Sequence, residues 1–161
     1  MNTFYYHHVK HHHITDNGPL DLSSTIWYDR DNPLHFLIYY LRFYFLVSIE
    51  LPIHFIRNKK YSWAVGVITG EFGSLLFLAS WFAICDWRSV LAAWFLPLNL
   101  ARIGMMSGNW VQHAFLAQKD ATNDYKTAIT CINTPYNVNC FNDGYHTSHH
   151  LNPIRHWQDH P

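Results

Sequence analysis

Hydrophobic and polar positions divide the chain into polar ends and an apolar middle. Residues 14 to 33, "ITDNGPLDLSSTIWYDRDNP", carry Asp, Asn, Ser, Gly and Pro at the density of an irregular polar connection outside any membrane. From Leu34 to Ile56 the chain is apolar and aromatic, "LHFLIYYLRFYFLVSIELPIHFI", but it contains Arg42, Glu50, Pro52 and two histidines, and the basic "RNKK" follows. This segment A predicts a helix. Segment B, Ser62 to Ile84, would reach about 34 Å as a helix, enough to cross a hydrocarbon core of about 30 Å, with only Glu71 against it. After the turn "CDWR", segment C runs from Ser89 to Met106 with similar reach, interrupted by Pro97, Asn99 and Arg102. Three buried helices of a soluble domain are the competing reading. B is too long and too evenly apolar to be the amphipathic wall of a 161-residue protein, so the pattern predicts an all-α membrane protein.

Composition narrows the chemistry. Lys plus Arg number 11 and Asp plus Glu number 11, so no basic field exists to hold nucleic acid. The three cysteines, Cys85, Cys131 and Cys140, form no C-x-x-C pair and leave at least one thiol unpaired, which argues against a disulfide scaffold and for a reducing compartment. No basic stretch followed by an apolar run opens the chain, so no secretory signal is expected. Nucleophile, phosphate-loop and zinc-finger patterns are lacking. The excess that remains is histidine, thirteen residues of which ten gather at the two ends.

Near the start, "HHVKHHH" contains His8-x-x-His11-His12, and near the end "GYHTSHHLNP" contains His146-x-x-His149-His150, the same pattern written twice. Helical positions three and four apart share a face, so each triplet can aim its imidazoles at one point. The first run also reads as His8-x-x-x-His12-His13, which leaves open whether His11 or His13 is the ligand. Val9 and Lys10 split that run, unlike an affinity tag. In "GNWVQHAF", just after segment C, Asn109 and His113 are four apart and fall on one helical face. His35, His54, His156 and His160 lack ligand-like spacing. No Glu-x-x-His pair accompanies the clusters, which sets aside a ferritin-like site, and an all-imidazole set suits iron, zinc, copper or nickel. Asp16, Asp124 and Asp143 are candidates to take the second ring N–H of a ligand histidine.

Parity then constrains topology. Two clusters sharing one metal centre lie on one side of the membrane, so the chain between them crosses an even number of times. B and C form the natural transmembrane hairpin, with Trp87 at its far interface, and A lies along the near interface. The alternative, A and B crossing, would separate "RNKK" from the histidines. With "RNKK" on the side of the metal site, that side is expected to be cytoplasmic. Glu71 is costly in lipid and should face the protein interior or a substrate cavity, or pair with Arg42 or Arg102.

These residues resemble the membrane fatty acid desaturases. "HVKHH" is similar to the second histidine box of that family, "HTSHH" to the third, and "NWVQH" to its extra Asn-x-x-x-His element. The resemblance implies one partial desaturase domain over 1–161: the second box and loop at 1–33, the interfacial helix and basic loop at 34–61, the transmembrane hairpin at 62–106, and a cytosolic histidine-rich cap at 107–161. It implies two iron ions held by His8, His11, His12, His113, His146, His149 and His150, with Asn109 acting through a bound water. It further implies O2-dependent removal of two hydrogens from a fatty acyl chain in the bilayer, with electrons from cytochrome b5 or a ferredoxin. The location implied is the endoplasmic reticulum in a eukaryote or the inner membrane in a bacterium. The family's first box should precede residue 1, so a fragment with impaired turnover is expected. A related hydroxylase or alkane monooxygenase, and a non-catalytic metal-binding remnant, are the alternative readings.

Overall fold

The structure is a computed structural model that describes residues 2–116 and 123–160, and every regular element among them is helical. Helix α1 (Asn2–His7) passes without a break into a π-helical turn (His8–His12) and a last α-turn (His13–Thr15). Asp16 and Asn17 end it with left-handed φ angles of 45° and 56°, and the chain doubles back. The polar stretch that follows is irregular, as its composition suggests, yet much of it is buried. Asp16, Asn17, Asp21, Ser23, Ser24 and Thr25 are all buried. They tolerate burial because they satisfy one another: Asp21 accepts from the backbone N–H groups of Asn17 and Ser23 and from the Ser23 hydroxyl.

Helix α2 (Pro33–Arg57) starts where the Asn32 side chain accepts from the Leu34 N–H and Pro33 occupies the first turn. Its buried side chains Tyr39, Val47, Leu51 and Phe55 recur at multiples of four and form one stripe. A tight turn at Lys59, φ 58°, leads into α3 (Tyr61–Ile84). Val47, Leu51 and Phe55 of α2 pack there on Ala64 and Val67 of α3. Helix α1 lies on the first half of α3. At Gly66 the Tyr6 ring occupies the space any Cβ would need.

Helix α4 (Trp87–His113) starts at Asp86, whose carboxylate caps it, and contains a π-helical segment (Leu91–Phe95). It continues past Met106, so Asn109 and His113 fall on its last two turns. At the far end of the α3–α4 hairpin Phe77, Trp81 and Trp94 pack together with tilted and edge-on rings. Short helices α5 (Asp124–Thr127), α6 (Pro135–Asn139) and α7 (His146–Leu151) build the C-terminal part of the cap.

Helices α2, α3 and α4 are each long and apolar enough to cross a membrane. On α3 and α4, Phe72, Leu75, Leu76, Ile84 and Leu100 are more than half exposed, a surface suited to lipid. Glu71 pairs with neither arginine. It accepts a hydrogen bond from the Thr3 hydroxyl, because α1 lays its first turn against α3. Arg42 is held instead by both oxygens of Glu50, two helical turns on, at 2.9 and 3.0 Å, and Arg102 lies over the Tyr44 ring.

Candidate metal centre

Two groups of histidines converge at the junction of α1, α4 and α7. His12, His113, His146 and His150 form one, fully buried, and His8, His13 and His149 form the other, partly buried. In the first, His146 Nε2 lies 3.0 Å from His113 Nε2 and 3.1 Å from His150 Nε2. In the second, His8 Nε2 lies 3.2 Å from His13 Nε2 and 3.4 Å from His149 Nε2. Two imidazole nitrogens bound to one ion at about 2.0–2.1 Å are separated by about 3.0–3.4 Å, so these spacings match the edges of a coordination polyhedron. The groups are also joined in sequence. His12 and His13 are consecutive yet serve different groups, and so are His149 and His150.

The outer nitrogens fix the tautomers. A neutral imidazole carries one proton, and whichever nitrogen donates leaves the other as a bare lone pair. His12 Nδ1 sits 2.6 Å from the Asp21 carboxylate, His113 Nδ1 2.5 Å from the Thr127 carbonyl, and His150 Nδ1 3.0 Å from Asp16 Oδ1. Each of the three therefore turns its Nε2 lone pair inward. His12 Nε2 is buried with no hydrogen-bond partner. Several lone pairs facing one buried point would be satisfied by a cation, and these residues fit a metal ion.

Electrostatics agree. Burial, reinforced by the facing histidines, lowers His8 to about 3 and His13 to about 2. Burial lowers His149 to about 4 and holds His146 well below the ordinary range. The rings are thus kept in the neutral form that ligates. Burial alone would raise the Asp21 carboxyl, but its electrostatic interactions with the His12, His7 and His11 rings and its hydrogen bond to His12 hold it far below the carboxylate range.

Of the residues expected from sequence, His8, His12, His113, His146, His149 and His150 come together, and His11 does not. Its Nε2 accepts the Leu22 N–H at 3.0 Å, and His13 stands in the second group. The physical reason is the π-helical turn, in which the His13 N–H bonds the His8 carbonyl five residues back. That wider turn aligns positions four and five apart, His8 with His12 and His13, where an α-turn would align His8 with His11 and His12. Asn109 donates to the Tyr39 hydroxyl at 2.7 Å and the Ser23 carbonyl at 3.2 Å. Asp16 lies beside His150, whereas Asp143 accepts from Gln112 and Tyr136, and the Asp124 side chain is outside the described residues. Asp21 and the Thr127 carbonyl escape sequence reasoning, because the doubled-back loop and the α5 turn bring them in rather than any fixed spacing. His35, His54, His156 and His160 stay outside both groups.

An apolar cavity of about 220 Å3 lies between α1, α2 and α4, walled by Phe4, Phe43, Val47, Met105, Met106 and His7. The His7 ring is 6.2 Å from that of His12, so one side chain separates the cavity from the first group. The known family with which the sequence agrees is the fatty acid desaturases, whose family model matches residues 1–161. No curated protein and no solved structure matches. Match over the whole chain, apolar helices and paired histidine groups lead to one conclusion: this integral membrane chain belongs to the fatty acid desaturase family.

Proposed function

We propose that the chain is a desaturase-type oxidoreductase that removes two hydrogens from a fatty acyl chain, using O2 and two histidine-held iron ions. The observation that carries this reading is the sharing of consecutive histidines, His12 with His13 and His149 with His150, between adjacent groups. His12, His113, His146 and His150 would hold one ion, and His8, His13 and His149 the other. Iron bound there supplies the redox chemistry that activates O2 toward an unactivated C–H bond. Asp21, Asp16 and the Thr127 carbonyl hold protons on the outer ring nitrogens and keep the inner ones basic. Asn109 has its amide nitrogen engaged by Tyr39 and Ser23, which leaves its carbonyl oxygen for a bound water. Phe43, Val47 and Met106 line the cavity beside His7, bind the acyl chain and exclude water from it.

Contacts along α2 support its placement at the interface, with α3 and α4 crossing. Tyr39 bonds Asn109, the Phe43 ring lies 4.6 Å from His7, and the His54 ring 4.4 Å from His11. Residues 39 to 54 span about 22 Å of helix, so α2 runs alongside the histidine layer and does not leave it. The histidines then share the cytoplasmic side with "RNKK", where a separate carrier such as cytochrome b5 or a ferredoxin delivers electrons.

The test is metal analysis of the purified protein, followed by mass spectrometry of acyl lipids after incubation with donor and O2. Bound iron and a product lighter by two hydrogens are expected. A product heavier by one oxygen assigns hydroxylation instead, and zinc at full occupancy without O2 consumption overturns the oxidoreductase reading.

A further inference from the structure

We infer that the turn between α2 and α3, together with Lys10 of the π-helical turn that continues α1, binds the phosphate of an anionic phospholipid. This site is separate from the metal centre and does not depend on the chemistry performed there.

Arg57, Lys59 and Lys60 are exposed in the turn, and the fold brings Lys10, far away in sequence, to the Trp63 ring that Lys60 also approaches. The Lys10 ammonium is 5.6 Å from the centre of the Trp63 ring and the Lys60 ammonium 5.2 Å from the same ring. Lys10 also lies 5.6 Å from the Tyr5 ring. One indole thus gathers two cations, each attracted by its electron-rich face. Elsewhere Arg30, Arg42 and Arg88 each have a carboxylate within ion-pair distance. Among the described residues, Lys10, Arg57, Lys59 and Lys60 have none. Two ammonium groups held by one indole repel each other, with Arg57 and Lys59 in the same short turn, and an anion with several acceptor oxygens relieves that repulsion.

A second observation adds donors at the same place. Lys60 is the N-cap of α3, and no side chain caps that end of a 24-residue helix. Its first N–H groups and the positive end of its dipole face the same cluster. The third observation selects the source of the phosphate. Ile53 and Ile56 on α2, and Tyr61 and Val65 on α3, are 42 to 60 % exposed beside the cations. Apolar side chains there suit the acyl tails of a lipid whose headgroup reaches the ammonium groups, an arrangement a free phosphate or a soluble acidic protein would not use.

The experiment is native mass spectrometry of the full chain in mild detergent, titrated with phosphatidylglycerol and, separately, phosphatidylcholine. The unmodified chain is expected to retain phosphatidylglycerol preferentially, with the preference falling roughly fivefold for each lysine neutralised in Lys10→Gln and Lys60→Gln. Arg57→Gln with Lys59→Gln provides a second pair should the first fold poorly, and Arg88→Gln, at the far end of the hairpin, should leave the preference unchanged. Equal retention of the two lipids overturns the proposal, as an acidic soluble partner would predict. So does a preference that survives both pairs of substitutions. Displacement of the lipid by inorganic phosphate at equal concentration would assign free phosphate and equally overturn it.

Discussion

His12 Nδ1 and Asp21 Oδ2 stand 2.6 Å apart with both side chains fully excluded from solvent. This pair fixes the direction of the His12 lone pair and ties the loop that follows α1 to the histidine layer, since Asn17 and Ser23 also bond Asp21. Asp21→Asn keeps the shape but loses the charge that holds the His12 proton in place. Metal affinity is expected to fall about 10- to 100-fold. Competition with a chelator of known affinity measures this, and unchanged affinity would remove Asp21 from the centre.

His11 and His13 separate ligation from structure. His13→Ala is expected to lower the metal content of the second group and leave the first filled. His11→Ala should leave metal content unchanged yet lower stability by about 1–3 kcal/mol, because the Leu22 N–H loses its acceptor. Elemental analysis beside thermal denaturation distinguishes the two, and the reverse result would restore the α-helical register.

Acid should unfold the metal-free protein through the same histidines. His8, His11, His13 and His149 have folded pKa values of about 3, 4, 2 and 4, below their ordinary 6.5. The unfolded chain therefore binds more protons, so the contribution is complete above about pH 6.5 and is lost progressively as pH falls from there toward the folded values. Melting temperature followed from pH 8 to 4 is expected to hold level and then drop. A level profile throughout would show that these rings are not held neutral.

Gly66 is the seat of Tyr6 on α3. Gly66→Leu pushes α1 away and should cost about 1–3 kcal/mol, with metal retention falling because His8, His12 and His13 all ride on the displaced segment. Adding Tyr6→Ala reopens the space and should recover part of both losses. Thermal denaturation and metal retention of the two variants test this, and a Gly66→Leu variant that keeps its metal would separate the α1–α3 contact from the site.

Much of the architecture was legible because it depends on local composition. Apolar length alone located α2, α3 and α4, the repeated histidine spacing located five residues of the two groups, and the spacing from Asn109 located His113. The end of α4 was less legible: polar residues after Met106 read as a departure from the apolar run, yet the helix persists to His113 because its cap-facing side packs Met106 and Trp110 on Tyr39.

By itself the sequence determined that a greasy helical centre separates two histidine runs, since hydropathy and ligand type belong to residues one at a time. Tertiary structure decided which histidines face inward. An α-turn and a π-turn place His11 and His13 on different faces of the same seven letters, and only the packing of α1 against α3 and α7 selects between them. It also decided that Asp21 supports His12, because a carboxylate nine residues away reaches an imidazole only after the chain reverses at Asp16 and Asn17.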